Sequence, residues 1–298
     1  MPIHGDTFPD RKLGLGRISI DMGGGDMKRR VYVGTYTGGN QSDSPLTGSK
    51  GIYAFSLQDD GKGLSFTGCY SNNDIDPGFL VYLNGYLFVE NERKDRAVLH
   101  SYRVEEDGSL IFVDAVETTG SKCAHVCADA FGSYVFGANY ASGSVLVTRS
   151  DENGQLTMTD LVQHYGHSIV PVRQDAPRAH AVIQTPDGTG VIVPDLGTDK
   201  LVNYKLDRKS GKLVRNPNQP VVQVASGEGP RHFVFHPCGR YGYLLTEIGN
   251  HIYVYNYDGN QGILTEKQCV STLPEKFSGT SYAAELIVSK DGRFLYAC

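Results

Sequence analysis

The sequence predicts an all-β fold, because a strand-rich unit recurs about every 50 residues along the chain. The unit is clearest from Pro230 to Leu264, where three alternating apolar runs are separated by turn residues and followed by a Gly-x-Leu element. The closing leucines set the period, with steps of 46, 46, 57 and 51 residues between Leu64, Leu110, Leu156, Leu213 and Leu264. A repeat of this length made only of strands is typical of a β-propeller blade.

The second strand of each unit agrees with this spacing. It begins at Tyr32, Tyr86, Tyr134, Val191, Tyr243 and Phe294. The sixth copy stops at Cys298, partway through a blade, so the sequence predicts about five blades plus the start of a sixth and a propeller truncated at its C-terminus. Residues 1–28 are expected to be a disordered N-terminal leader, and residues 29–298 form the incomplete propeller.

Composition narrows the class of function. The 298 residues include 36 glycines, as expected for a turn-rich fold, and carry a net charge of −5. The sequence contains no basic stripe of the kind that binds nucleic acid, so nucleic acid is not an expected partner. No run approaches the roughly 18 apolar residues of a membrane span, and the N-terminus lacks an apolar signal region, so we expect a cytoplasmic protein without membrane contact. The six cysteines show no disulfide spacing, which suits reduced thiols.

One cysteine cluster has a metal-binding alternative. Cys123, His125 and Cys127 would lie on one face of a strand, at a period of two residues. A structural zinc site requires four nitrogen or sulfur ligands, and the sequence offers no evident fourth. We therefore expect neither a metal nor another cofactor.

The candidate active site comes from folding one hairpin. If its turn is centred on Gly239, Arg231 pairs with Glu247 at the open end of the blade, where it lies at the axial mouth of the propeller. Aligning the other blades on their turn glycines brings further polar residues to the same ring. These are His125, His180, His232 and Glu285, with Asp195 and Asn139 on the neighbouring strand ends.

Two interpretations of this ring stay open. Propellers also use inner-strand His and Asp residues to tie adjacent blades together through hydrogen bonds to the backbone. A base, a fixed cation and a carboxylate on one face suit carbonyl chemistry, which favours His180, Arg231 and Glu247 as catalytic residues. The other five, His125, His232, Glu285, Asn139 and Asp195, are candidates for substrate binding.

A family resemblance covers nearly the whole chain from Val31 onward. VYVGTYTGG, FVENE, GANYASGSV, DLGTDKLVNYKLD and GPRHFVFHP, taken with AAELIVSKDGRFLY near the end, together resemble the seven-bladed β-propeller lactonase family. That family includes bacterial-type 6-phosphogluconolactonase and carboxy-cis,cis-muconate cyclase. The resemblance implies seven blades, no cofactor, a lactone substrate, and a catalytic His, Arg and Glu that match His180, Arg231 and Glu247. The family's further Arg follows the FLYA segment and has no counterpart before Cys298.

The resemblance supports three hypotheses of function. The first is hydrolysis of a sugar lactone, 6-phosphogluconolactone above all, in the pentose phosphate route. The second is the reverse ring chemistry, muconate lactonisation. The third is a non-catalytic propeller fragment that binds other molecules or is inactive. Apart from the small-molecule lactone, the expected partner is a second copy of the chain, through unclosed propeller edges.

Overall fold

The computed structural model describes residues 15–21, 29–38, 48–58 and 61–298. Within these ranges the regular secondary structure consists of strands alone, and the 23 strands form six antiparallel sheets. The first sheet consists of β1 (Leu15–Asp21), β2 (Arg30–Thr35), β3 (Ile52–Leu57) and β4 (Leu64–Tyr70). The second consists of β5 (Leu80–Leu83), β6 (Tyr86–Asn91), β7 (Ala97–Val104) and β8 (Leu110–Thr118). The third consists of β9 (Cys123–Ala128), β10 (Tyr134–Asn139), β11 (Ser144–Ser150) and β12 (Leu156–Gln163).

The remaining sheets continue in chain order. The fourth consists of β13 (Ile183–Gln184), β14 (Gly190–Asp195), β15 (Lys200–Asp207), β16 (Lys212–Arg215) and β17 (Val221–Gln223). The fifth consists of β18 (Pro230–Phe235), β19 (Tyr241–Thr246), β20 (His251–Asp258) and β21 (Ile263–Ser271). The sixth consists of β22 (Leu286–Val288) and β23 (Leu295–Ala297). Within each sheet, strands that are consecutive in the chain pair with one another, except that β17 pairs with β15, so most connections inside a sheet are hairpins.

The predicted turn glycines are confirmed. Gly239 lies between β18 and β19 with φ of 71°, and its N–H donates to the carbonyl of His236 at 2.8 Å. Gly188 holds the same place in the fourth sheet with φ of 70°. This left-handed backbone region is costly for residues with a Cβ atom, which explains why glycine ends the inner hairpin of the unit.

The hydrophobic core lies between consecutive sheets. In β14, Val191 and Val193 pack toward Phe136 of the third sheet, whereas Ile192 packs toward Phe233 of the fifth. Alternate side chains of one strand thus enter two different cores, as expected for a strand covered on both faces. The innermost strands of consecutive sheets also contact one another, which gives the face-to-face arrangement of propeller blades.

The N-terminal region differs from the prediction at one place. Leu15–Asp21 forms β1 and pairs with β2, with Ile18 opposite Val33 and Ile20 opposite Val31. The prediction of a disordered leader over residues 1–28 is therefore wrong for this segment, whose polar and apolar alternation covers too few positions to mark a strand in the sequence. Residues 1–14 and 22–28 of the predicted leader lie outside the described residues.

The described ranges contain no helix with the length and hydropathy that crossing a membrane requires. All six cysteines are free thiols.

Candidate active site at the propeller axis

A β-bulge positions Arg231. The predicted pairing of Arg231 with Glu247 is wrong by one residue, because Pro230 lies opposite Thr246 while His232 lies opposite Leu245. Arg231 is thus the extra residue of the bulge, and Glu247 follows the last paired residue of β19. A bulge re-aims the side chain of its extra residue. Here the two side chains meet although their backbones are not paired.

The same one-residue offset recurs in the neighbouring sheets. In the third sheet it falls between Cys123 and His125, which leaves Ala124 as the extra residue. In the fourth sheet it falls between the isolated bridge of Ala179 with Asp195 and the ladder of β13, and His180 lies in that interval. The repeat therefore places one backbone irregularity at the same end of each of these inner strands and varies the side chain that it presents.

The three predicted catalytic residues are in direct contact. Arg231 Nη1 donates to Glu247 Oε2 at 2.5 Å and also to His180 Nε2. His180 Nε2 lies 3.7 Å from the same carboxylate oxygen. Arg231 Nε donates to the carbonyl of Ala284 at 2.7 Å, which ties the guanidinium to the segment before β22. His180 and Glu247 are buried, with 7% and 5% of their surface exposed.

Arg173 is a site residue that the sequence alone did not reveal. Its Nη2 donates to Glu247 Oε1, so that one guanidinium binds each oxygen of this carboxylate. Its guanidinium also lies 5.4 Å from the centre of the Tyr282 ring, and its Nε is a buried donor without a hydrogen-bond partner. Arg173 belongs to the segment between β12 and β13, where the 57-residue step between Leu156 and Leu213 reveals an insertion. That longest step is the signal that could have directed attention to it.

These side chains line a cavity of about 900 Å³. Its polar and charged lining comes from segments at the same axial end of successive sheets. The members are Tyr36, Glu90, Glu92, Tyr140, Arg173, His180, Arg231, His232, Glu247 and Glu285. The volume is within the range of small-molecule sites in proteins.

A layer of imidazole rings forms the floor of this cavity. His232 Nδ1 is paired with Glu285 Oε1 at 2.8 Å, and the His232 ring lies 5.5 Å from that of His180 and 5.6 Å from that of His125. His232 and Glu285 also line a second cavity of about 600 Å³, whose other walls include His125. Of the predicted substrate-binding residues, His232 and Glu285 thus border the larger cavity, whereas His125 borders the smaller one.

Asn139 and Asp195 do not line either of these two cavities, which corrects the prediction. Asn139 Nδ2 donates to Ser144 Oγ at 3.0 Å, and Asp195 is paired with His164 Nδ1 at 2.7 Å. Both end their strands one position before the residue equivalent to Glu247. That next position in the third sheet is Tyr140, which does line the larger cavity. Because side chains alternate along a strand, the one-residue offset turns Asn139 and Asp195 toward partners within and between blades.

The bulge also separates the side chains that the metal-binding alternative would bring together. The extra residue between Cys123 and His125 breaks the period of two, so that Cys123 Sγ lies near Gly137 within the blade while His125 and Cys127 line the second cavity. Among the residues that the structure describes, no group of three or more His, Cys, Asp or Glu side chains is arranged to hold a metal ion.

Burial sets the protonation of the central histidine. Desolvation, followed by the positive charges of Arg231 and His232, holds the pKa of His180 well below its usual range. Arginine has only donors, so the contact from Arg231 requires an unprotonated Nε2 on His180. His180 is therefore a neutral imidazole with a lone pair at the cavity. Burial also lowers the pKa of Arg231, whose ordinary value is high enough for the guanidinium to stay charged.

The fold and this cavity define a β-propeller protein with an acid–base site on its axis, in which a neutral imidazole, two guanidinium groups and a carboxylate meet. Such a set suits attack on a carbonyl group. The chain belongs to the family described as "Lactonase, 7-bladed beta-propeller", whose model matches residues 30–298. The predicted family membership is thereby confirmed. The predicted truncation is not confirmed by this match and stays a prediction.

Individual relatives agree with the family. The chain is 33% identical over 268 residues to 6-phosphogluconolactonase from Bacillus subtilis, a match that covers 89% of this chain and 73% of that protein. The crystal structure of a putative 6-phosphogluconolactonase from Bacteroides fragilis has a TM-score of 0.80 at 27% identity and covers 93% of this chain and 76% of its own. The periplasmic gluconolactonase of Pseudomonas aeruginosa has a TM-score of 0.78 at 29% identity, covering 90% and 75%.

Proposed function

We propose that this chain hydrolyses a sugar lactone, with 6-phosphogluconolactone as the substrate and 6-phosphogluconate as the product. The observation that carries the proposal is the direct contact of His180, Arg231 and Glu247 on the wall of the axial cavity. The names of the Bacillus and Bacteroides relatives support the phosphorylated substrate. We further propose that the reaction belongs to the pentose phosphate route and takes place in the cytoplasm.

Arg231 would stabilise the oxyanion. Its Nη1 donates to both His180 and Glu247, and the hydrogen bond to His180 is the one that a developing negative charge on the substrate oxygen would replace. A guanidinium fixed in advance by Ala284 and Glu247 costs little to reorganise when the charge develops. Its partly desolvated position strengthens the interaction further.

His180 would deprotonate the attacking water. When Arg231 turns its N–H toward the oxyanion, the Nε2 lone pair of His180 is released toward the cavity. The water oxygen then forms a bond to the carbonyl carbon while its proton passes to Nε2. Glu247 accepts hydrogen bonds from both guanidinium groups, which weakens it as a base and makes it the anchor that positions Arg231.

Arg173 supports an anionic substrate. It is partly exposed at the cavity, and its Nε has no hydrogen-bond partner. A phosphate group offers several strong acceptors and competes well with a carboxylate for a guanidinium. Capture of the phosphate by Arg173 would anchor the substrate at the end remote from the reacting carbonyl.

The test is the turnover of freshly generated 6-phosphogluconolactone by the 298-residue chain, measured against spontaneous hydrolysis in the same buffer. We expect turnover well above that background, and loss of most of it in Arg231→Ala. A rate equal to the background would refute the proposed activity. Full turnover by Arg231→Ala would leave the proposed lactonase activity in place but refute the proposed active site.

A further inference from the structure

Opening of the lactone ring is assisted by a proton donor at the ring oxygen. Collapse of the tetrahedral intermediate breaks the bond between the carbonyl carbon and the ring oxygen, and the oxygen leaves as an alkoxide. An alkoxide is a strongly basic leaving group, so an acid that protonates it lowers the barrier. Arginine side chains remain charged throughout and do not serve as this acid. His180 becomes an imidazolium in the attack and can act as the acid itself, whereas a second donor on the cavity wall would let attack and ring opening use separate groups.

Glu90 lies on the wall of the same cavity, at the C-terminal end of β6. Only 1% of its surface is exposed, and its Oε2 has no hydrogen-bond partner. Its backbone N–H donates to the carbonyl of Phe79 at 3.1 Å, which holds this strand end against the inner strand of the second sheet. A buried carboxyl oxygen without a partner is costly unless something approaches it.

Burial and the neighbouring charges favour the protonated form of Glu90. Burial is the largest influence and raises the pKa of Glu90 well above its usual range. The negative charges of Glu92, on the same strand, and Asp76, in the segment before β5, act in the same direction, whereas backbone N–H groups of Gly78 and Phe79 act against it. From the third sheet the Cys123 thiol lies near Glu90, and burial above all raises the pKa of this thiol well above its usual range, so it adds no negative charge there. A neutral carboxylic acid is a proton donor, whereas a carboxylate is not.

Glu92 is less suited to this task, although it lines the same cavity. Its Oε2 already accepts a hydrogen bond from the Tyr36 hydroxyl at 2.7 Å. Burial raises the pKa of Glu92 as well, but the hydrogen bond from Tyr36 and the charges of Lys122 and Arg231 act in the opposite direction and favour its carboxylate form. The unpartnered oxygen of Glu90 therefore distinguishes it from its neighbour.

We propose that Glu90 is the general acid that protonates the departing ring oxygen, an inference that rests on the proposed lactone hydrolysis. In this step the carbon–oxygen bond of the ring breaks and the oxygen takes the carboxyl proton of Glu90, which becomes a carboxylate. The proton that water gave to His180 and the one lost by Glu90 balance on exchange with solvent, which restores both groups. Acid and base thus come from different blades, the second and fourth sheets.

The experiment compares two lactones with Glu90→Gln. Glucono-δ-lactone releases an alkoxide, whereas dihydrocoumarin releases a phenolate, whose conjugate acid has a pKa of about 10 and which leaves without a proton donor. We expect Glu90→Gln to lose about 10²-fold in kcat on the sugar lactone and to retain most of its rate on dihydrocoumarin. Glu152→Gln, the same exchange in an exposed turn between β11 and β12, should match the wild type on both.

A second measurement covers the case in which the wild type does not accept dihydrocoumarin. On the sugar lactone, the wild-type kcat/KM should fall at alkaline pH as Glu90 loses its proton, and Glu90→Gln should lack that limb. Equal slowing of Glu90→Gln on both lactones, or an alkaline limb retained in the variant, would overturn the role of Glu90. Absence of any turnover by the wild type on phosphorylated and neutral sugar lactones would instead refute the proposed function itself.

Discussion

The two sides of the axial cavity differ in charge, although equivalent strand ends build them. The fourth and fifth sheets, with the preceding insertion, supply two guanidinium groups, a neutral imidazole and a carboxylate that are joined by direct contacts. The first and second sheets supply Tyr36, Glu90 and Glu92, of which Glu90 is buried without a cation bound to it. The repeat fixes where a side chain points, and the partners that meet it there decide its protonation.

The largest expected effect tests the cationic side. His180→Gln should lower kcat by about 10²–10⁴-fold, the usual cost of losing a general base. Because the pKa of His180 lies below its ordinary value, the acid limb of kcat/KM should fall below pH ~6.5 in the wild type. Initial rates across the mildly acidic to neutral range would measure both. Wild-type kcat in His180→Gln would contradict the assignment.

Removal of the fixed cation should cost slightly less. We expect Arg231→Ala to lower kcat by about 10²–10³-fold, because it deletes the proposed oxyanion donor. Arg240→Ala, in the exposed turn of the same hairpin, serves as the control and should keep the wild-type rate. A loss of similar size in both variants would point to damage to the hairpin, which a thermal melt would reveal.

Arg173 sharpens the comparison by testing the substrate's charge. In Arg173→Gln, the ratio of kcat/KM for 6-phosphogluconolactone to that for glucono-δ-lactone should fall by at least about tenfold, as expected for a lost charge-assisted hydrogen bond. A ratio is the suitable readout, since Arg173 also binds Glu247 and its loss can change both rates together. If the ratio stays constant, Arg173 does not recognise the phosphate.

The smallest effect concerns the contribution of Glu90 to the stability of the fold. The folded-state pKa of Glu90 lies above its unfolded value, so its contribution to stability is present at low pH and is lost as pH rises through the folded pKa. Glutamine does not titrate. As pH rises above about 4, the free energy of unfolding of the wild type should therefore fall relative to that of Glu90→Gln. The fall is about 1.4 kcal/mol for each unit by which the folded pKa exceeds the unfolded one. Urea denaturation at several pH values measures this, with Glu152→Gln showing no such trend.

Much of this arrangement could be predicted from the sequence because the repeat is regular. The turn glycines and second strands defined the sheets, and the alignment on Gly188 and Gly239 brought His180 and Arg231 to one place. The errors come from features that strand periodicity does not contain. A bulge at Arg231 shifted its predicted pairing with Glu247. Asn139 lies one position before the equivalent of Glu247, and the alternation of side chains makes Tyr140 the cavity-lining residue instead.

Two further features lay outside what a repeat can predict. Arg173 belongs to an insertion, where no equivalent position exists in another blade, and only the packing of that segment brings its guanidinium to Glu247. The partners of a buried carboxyl likewise depend on long-range packing. The sequence could place Glu90 near the mouth as a charged residue, but its burial and its unpartnered oxygen follow from the folded structure.

The floor of the larger cavity consists of side chains, since His232 and its partner Glu285 border the cavities on both sides. The depth of the site is therefore adjustable by single substitutions that leave every blade intact. A smaller residue at position 232 would join the two spaces into one longer cavity, and side chains at this layer would then set the length of the molecule that fits.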